Sequence, residues 1–155
     1  MHNNSSSFIE HVERMKINTK VSYGLKAMIE ICNNSHKGGI FQKDIAESQG
    51  ISLNYLDTII SGLRNSGLIT NYLGKSSGYV LAKKPANISV YDVYRAFEPE
   101  LSLVNCSCKS TSCLEIETCQ EKCYWFKLND QIKQLMKKSN ILEVAQKEKN
   151  IFIIH

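Results

Sequence analysis

Five of the six cysteines, Cys106, Cys108, Cys113, Cys119 and Cys123, fall within 18 residues of a 155-residue chain, whereas Cys32 stands alone in an apolar helical pattern. Clustered thiols pair as disulfides in small secreted proteins, but in a cytosolic chain of this size they more often bind metal or sense redox state. Thiolates are soft donors that suit iron–sulfur clusters and also zinc, although the usual zinc pairs with two- to four-residue gaps are matched only loosely. No C-x-x-C is present, which disfavours a ferredoxin-like electron carrier. His2, His11, His36 and His155 share no metal spacing with one another and no paired nucleophile. With no catalytic triad, phosphate loop or carboxylate pair, an enzyme is not expected.

Composition narrows the setting. Hydrophobic residues make up 43% and charged residues 22%, with two prolines, eight glycines and a net charge of +4. Those values describe one main globular domain with at most an appendage. No apolar run approaches the roughly 18 residues needed to span a bilayer, so no membrane role is expected. The opening MHNNSSSFIEHVER is polar and lacks the pattern of a secretory signal, so residues 1–14 read as a frayed extension and the expected compartment is the reducing cytoplasm. Residues 15–96 hold ten Lys/Arg against five Asp/Glu, whereas residues 97–128 hold three against five. A basic N-terminal module is consistent with a polyanionic partner.

The elements that must position these groups follow from periodicity. Val21, Leu25, Met28, Ile29 and Cys32 recur at helical spacing, and Asn33-Asn34-Ser35 with Gly38-Gly39 ends that helix. A second helix fits Gln42 to Gln49, with Ile45 and Ala46 inward and Gly50 turning the chain. Ser52 caps a third, with Ile51 and Leu56 placed as a hydrophobic staple, Leu53, Leu56, Ile60 and Leu63 inward, and Gly67 as the stop. Leu68 to Leu73 and Tyr79 to Ala82 read as strands joined by Gly74-Lys75-Ser76-Ser77-Gly78. A helix-turn-helix followed directly by a hairpin is the layout of a winged helix, whose second helix enters the major groove. After Pro85, Ser89-Val90-Tyr91-Asp92 forms a capping box for a short helix to about Phe97. Beyond the cysteines, Trp125, Leu128, Ile132, Leu135 and Met136 form a stripe on a long helix, buried most economically against a twofold partner. Ser139 is placed to cap a last helix holding Ile141, Leu142 and Val144.

The expected fold is therefore mainly α with a small β-hairpin wing: a winged helix-turn-helix plus a long C-terminal dimerisation helix. The divisions are 1–14 extension, 15–98 DNA-binding domain, 99–123 cysteine-rich loop, and 124–155 dimerisation helix and tail.

These residues resemble the Rrf-two family of bacterial winged-helix regulators. The resemblance rests on Met15-Lys16-Ile17-Asn18-Thr19-Lys20, Tyr23, Leu25-Lys26-Ala27-Met28 and Asp44-Ile45-Ala46. It continues through Ile51-Ser52, Tyr55-Leu56, Leu63, Gly67-Leu68-Ile69, Gly78-Tyr79-Val80-Leu81-Ala82, Pro85, Ile88, Asp92-Val93 and the Trp125 helix. It covers roughly residues 15–145, with the motifs in the family order. It implies a homodimeric transcription regulator, often a repressor, that binds a palindromic operator in double-stranded DNA. By analogy with the family, Ser52, Asn54, Tyr55 and Asp57 are the candidates for reading bases, while Thr19, Lys20 and Lys75 are candidates for the DNA backbone. Where members often carry an arginine before the wing glycine, this chain has Leu73.

In IscR-like and NsrR-like members an iron–sulfur cluster is held by three cysteines and one further ligand, so the resemblance implies a [2Fe–2S] or [4Fe–4S] cluster here. Cys113 and Cys119 have the family's five-residue gap. Counting from Ile88 favours Cys106 as the first ligand, with a gap to Cys113 one residue longer than usual; Cys108 makes it one shorter. Lys122 stands where IscR-like members have a histidine ligand, and Ser22 where NsrR-like members have an aspartate. A thiolate, Cys108 or Cys123, is then the expected fourth ligand. The alternatives are a cluster-free regulator that uses zinc or thiol chemistry, and a CymR-like module that acts through a partner enzyme.

Overall fold

Asn18 starts the first helix by accepting a hydrogen bond from the Lys20 backbone N–H at its own side-chain oxygen, which satisfies one of the orphan donors of a helix start. The helix that follows, α1 (Thr19–Asn33), buries Val21, Gly24, Ala27, Met28, Ile29 and Ile31. Leu25 and Cys32, both expected on the inner face, are half-buried at its border. The computed structural model describes residues 17–74, 76–103 and 120–151, with backbone alone at 120–123 and 148–151. The expectations for residues 1–14, Lys75, Cys106, Cys108, Cys113 and Cys119 lie outside the described residues, as does the Cys123 side chain.

A 3-10 turn (Ser35–Lys37) and two left-handed glycines, Gly38 and Gly39, lead to α2 (Gln42–Gln49), which buries Ile45 and Ala46. Gly50, at φ +62°, ends it as expected. Ser52 then caps α3 (Leu53–Asn65) by accepting from the Tyr55 N–H at 3.2 Å. The buried stripe of α3 is Leu56, Ile59, Ile60 and Leu63. Leu53, expected inward, is 51% exposed, and Ile59 takes the core place that the expected spacing missed. The reason is geometric: Leu53 is the first helical residue, beyond the edge of the underlying core, so periodicity alone overextends the buried face.

The hairpin is shorter than its apolar runs suggest. β1 (Ile69–Asn71) and β2 (Tyr79–Leu81) pair antiparallel, with Thr70 opposite Val80. Ile40 adds a further bridge to Tyr79, with N···O distances of 3.1 and 2.8 Å. Gly39 and Gly78 permit this close approach. A Cβ on Gly78 would lie 2.8 Å from the Ile40 nitrogen.

A 3-10 turn (Pro85–Asn87) precedes α4 (Val90–Arg95), opened by the expected Ser89/Asp92 capping box. The long helix α5 (Gln120–Lys138) packs on α4, and α6 (Ile141–Ile151) packs on α1. The cap of α6 is Asn140, which accepts from the Glu143 N–H at 3.0 Å, and not Ser139, whose hydroxyl donates to the Leu135 carbonyl. Ser139 is diverted because its backbone carbonyl accepts from Val90 N–H while Ile141 N–H donates to Ile88. This bridge places Ile141, fully buried, in the same core as Met28, Ile45 and Leu56. Among the described residues no helix is long and apolar enough to cross a membrane.

One ring locks the helices together. Phe97 lies between α1 and α3, where a Cβ on Gly24 would stand 2.3 Å from its ring and a Cβ on Gly62 2.6 Å. The ring cannot yield to one without closing on the other. Although Gly→Ala in a helix normally gains up to about 1 kcal/mol, Gly62→Ala is expected to cost about 1–3 kcal/mol by overpacking. In a Phe97→Ala background the same change becomes neutral or stabilising. Urea unfolding of the two single variants and the double variant checks this, and equal effects of Gly62→Ala in both backgrounds contradict it.

Candidate nucleic-acid interface and cysteine segment

The amphipathic split of α3 leaves Asn54, Asp57, Thr58 and Ser61 exposed on the side opposite its buried stripe. Asn54 projects with no hydrogen bond to the described residues, so both its amide donors and its acceptor are available to a ligand. Asp57 is placed by α2: the Gln42 amide donates to its carboxylate at 3.3 Å and reaches the Leu53 carbonyl at 3.5 Å. Gln42 thus links the exposed faces of the two helices and was not foreseen, because two residues 15 apart on different helices leave no periodic signal. Ser52 is exposed, its hydroxyl oxygen engaged by the Tyr55 N–H. Tyr55, expected to face outward, is half-buried, with its ring edge-on to Tyr23 at 5.6 Å. Lys26 lies over the other ring of that pair.

Thr19 and Lys20 are exposed at the start of α1, whose first turn carries no acidic residue. Lys20 in that turn adds a positive charge to the helix N-terminus, while the Glu98 carboxylate stands on the cap residue Asn18. The hairpin is tied to α3 by Arg64, whose guanidinium donates to the Tyr79 hydroxyl at 2.7 Å and lies over the same ring. Arg64 thereby links the hairpin directly to α3.

The cysteine segment is framed at both ends by the same helix. Ahead of it, Glu98 accepts from the Asn18 amide, the residue that caps α1. Glu100 pairs with Lys133 of α5 at 2.6 Å, and Leu103 N–H donates to Asn129 of α5 at 3.1 Å. The Lys133 ammonium also lies over the Tyr91 ring of α4, as does that of Lys137. The hydrogen bond that Lys133 donates to Glu100, more than any other influence, raises the Lys133 pKa, whereas burial raises that of Tyr94. Behind the segment, the backbone of α5 starts at Gln120 and includes Cys123. Among the described residues no group of three potential metal ligands occurs; the expected ligands belong to the stretch between these anchors.

Comparison with known proteins agrees with this arrangement. The model of the Rrf2 family, described as iron-dependent transcriptional regulators, matches residues 17–147. The chain is similar to the transcriptional regulator CymR of Bacillus subtilis, at 33% identity over 84% of this chain and 90% of that protein. It is also similar to the regulator IscR of Cronobacter sakazakii, at 30% identity over 88% and 89%. Among solved structures, that of B. subtilis CymR, the global cysteine regulator of that organism, superposes with a TM-score of 0.73 and 32% identity over 85% of this chain and 97% of that one. With its helix-turn-helix, its braced hairpin and its framed cysteine segment, the chain belongs to the Rrf2 family of winged-helix transcriptional regulators.

Proposed function

We propose that this protein is a homodimeric repressor that binds a palindromic operator and whose affinity is set by chemistry at its cysteine segment. The observation that carries the reading is the polar, solvent-facing side of α3, where Asn54 and Asp57 stand on a helix braced by Gln42 on one side and by the Arg64–Tyr79 contact on the other. Preorganised polar groups on a helix of this kind suit base edges in the major groove: asparagine pairs with adenine and aspartate accepts from cytosine. Ser52 and Tyr55 support the same turn, and Thr19, Lys20 and Lys75 hold the sugar–phosphate backbone. For the dimer, α5 offers an apolar edge, with Tyr124 61% and Leu135 65% exposed although Leu128 and Ile132 of the same helix are half-buried.

The thiols of the cysteine segment, which stand among the carboxylates Glu115, Glu117 and Glu121, are soft donors that fit an iron–sulfur cluster. Cys106, Cys113 and Cys119 would hold it, with Cys108 or Cys123 as the fourth ligand. When bound, such a cluster supplies a redox- and nitric-oxide-sensitive group. This chain's own contribution is mechanical: Glu98, Glu100 and Leu103 tie the segment to the cap of α1 and to α5, so a change of its conformation bears on both. The effector shifts DNA affinity only as far as it favours one arrangement over the other.

A second reading is favoured by Ser22, which is exposed on α1 and offers no carboxylate to iron, and by the likeness to a cysteine regulator. In it the thiols bind zinc or undergo oxidation without a cluster, or the chain acts through a partner enzyme.

Protein isolated without oxygen is expected to be brown, with thiolate-to-iron absorption and stoichiometric sulfide, and Cys113→Ala or Cys119→Ala to remove both. Colourless protein carrying zinc selects the second reading. In binding titrations Asn54→Ala is expected to cost about 1–3 kcal/mol and relax preference at one base position. Lys20→Ala is expected to weaken binding to all sequences alike, lowering the slope of log K against log salt by about 0.9.

A further inference from the structure

The carboxylate of Glu98 reaches back 80 residues to accept a hydrogen bond from the side-chain amide of Asn18, the residue that caps α1. Through Asn18 it is joined to the start of the helix that carries Thr19 and Lys20. The Asn18 side-chain oxygen accepts from the Lys20 N–H at 2.9 Å, and its backbone carbonyl accepts from the Ser22 N–H at 3.1 Å. Asn18, Thr19 and Lys20 are all exposed, and Glu98 is half-exposed. The helix has its cap without Glu98, since Asn18 fills that position itself. What Glu98 adds is one negative charge beside a first turn that holds no acidic residue of its own.

The stem of this side chain is fixed. The Glu98 N–H donates to the Tyr94 carbonyl at 3.0 Å, and the preceding residue is Phe97, whose ring is held between Gly24 and Gly62. Downstream, Glu100 pairs with Lys133 and the Leu103 N–H donates to Asn129, so a few residues of chain connect this carboxylate with α5 and with the stretch that carries the cysteines. A half-exposed glutamate on a fixed stem exchanges one partner for another by rotamer change alone. A DNA phosphate carries a charge of the same sign and accepts from the same donors, so phosphate and carboxylate exclude each other beside one amide and one lysine.

On the DNA-binding reading above, which places Thr19 and Lys20 on the sugar–phosphate backbone, we infer that Glu98 is an intramolecular competitor of that backbone at the start of α1, and that its release from Asn18 is how the cysteine segment raises DNA affinity. With Glu98 seated, a phosphate approaching Lys20 meets a carboxylate beside it. With Glu98 swung away, the Asn18 amide and the Lys20 charge are both open to the phosphate. The arrangement with Glu98 on Asn18 is therefore the weaker-binding one.

The test uses the full chain in two states, isolated without oxygen and treated with the thiol oxidant diamide, and a duplex enriched from a random pool by the unaltered protein. Glu98→Gln keeps an acceptor for the Asn18 amide and removes the charge, whereas Asn18→Gly keeps an adequate N-cap and removes the donor that seats Glu98. The unaltered protein is expected to bind more tightly in one state than in the other. Both variants are expected to match its tighter form in both states, a gain of about fivefold over its weaker form. Glu98→Gln is also expected to steepen the slope of log K against log salt by up to about 0.9. Weaker binding by the variants with a lowered melting temperature overturns the inference, because it makes Glu98 a structural prop. So does a difference between states that both variants retain, or unaltered protein that binds equally in both. If no duplex is enriched at all, the DNA-binding reading falls and the competitor with it; enrichment followed by variants that bind as the unaltered protein does removes the competitor alone.

Discussion

The Phe97 ring occupies a slot made by two glycines, Gly24 on the first helix and Gly62 on the third, which meet its two opposite edges. Close-packed interiors resist displacement, so a ring held at both edges narrows the range of positions open to the two helices. The side chains proposed to face DNA are referred to that spacing. Asn54 and Asp57 stand on α3, Thr19 and Lys20 on α1, and the hairpin follows α3 through Arg64 and Tyr79.

The same ring is joined covalently to the segment that leads into the cysteines. Glu98 holds the cap of α1 and Glu100 holds α5, so the residues that follow Phe97 touch both the first helix and the long helix α5. In the reading proposed for this protein, an effector at the cysteines needs no long pathway. A displaced segment pulls on the ring and on the α1 cap together. The physical requirement is an element with two arrangements that both sites bias.

Among the exposed apolar side chains of the described residues, two sets differ in geometry. The α5 edge at Tyr124 and Leu135 is long and helical, a shape suited to a copy of itself. The hairpin tip at Leu73 is a single point on a braced turn.

Much was legible from the chain alone, and for one reason: caps, stops and helical stripes are local. Ser52 and Asp92 signal within three or four residues, and Gly50 and Gly67 mark positions that need positive φ. What the tertiary structure decided joins residues far apart. The Phe97 slot, the Gln42 clamp on Asp57, the exposure of Leu53 and the return of Ile141 to the core beside Met28 depend on how finished helices meet. A helix's own period says which residues share a face, but only the neighbour that covers the face determines where it ends, and that neighbour lies elsewhere in the sequence.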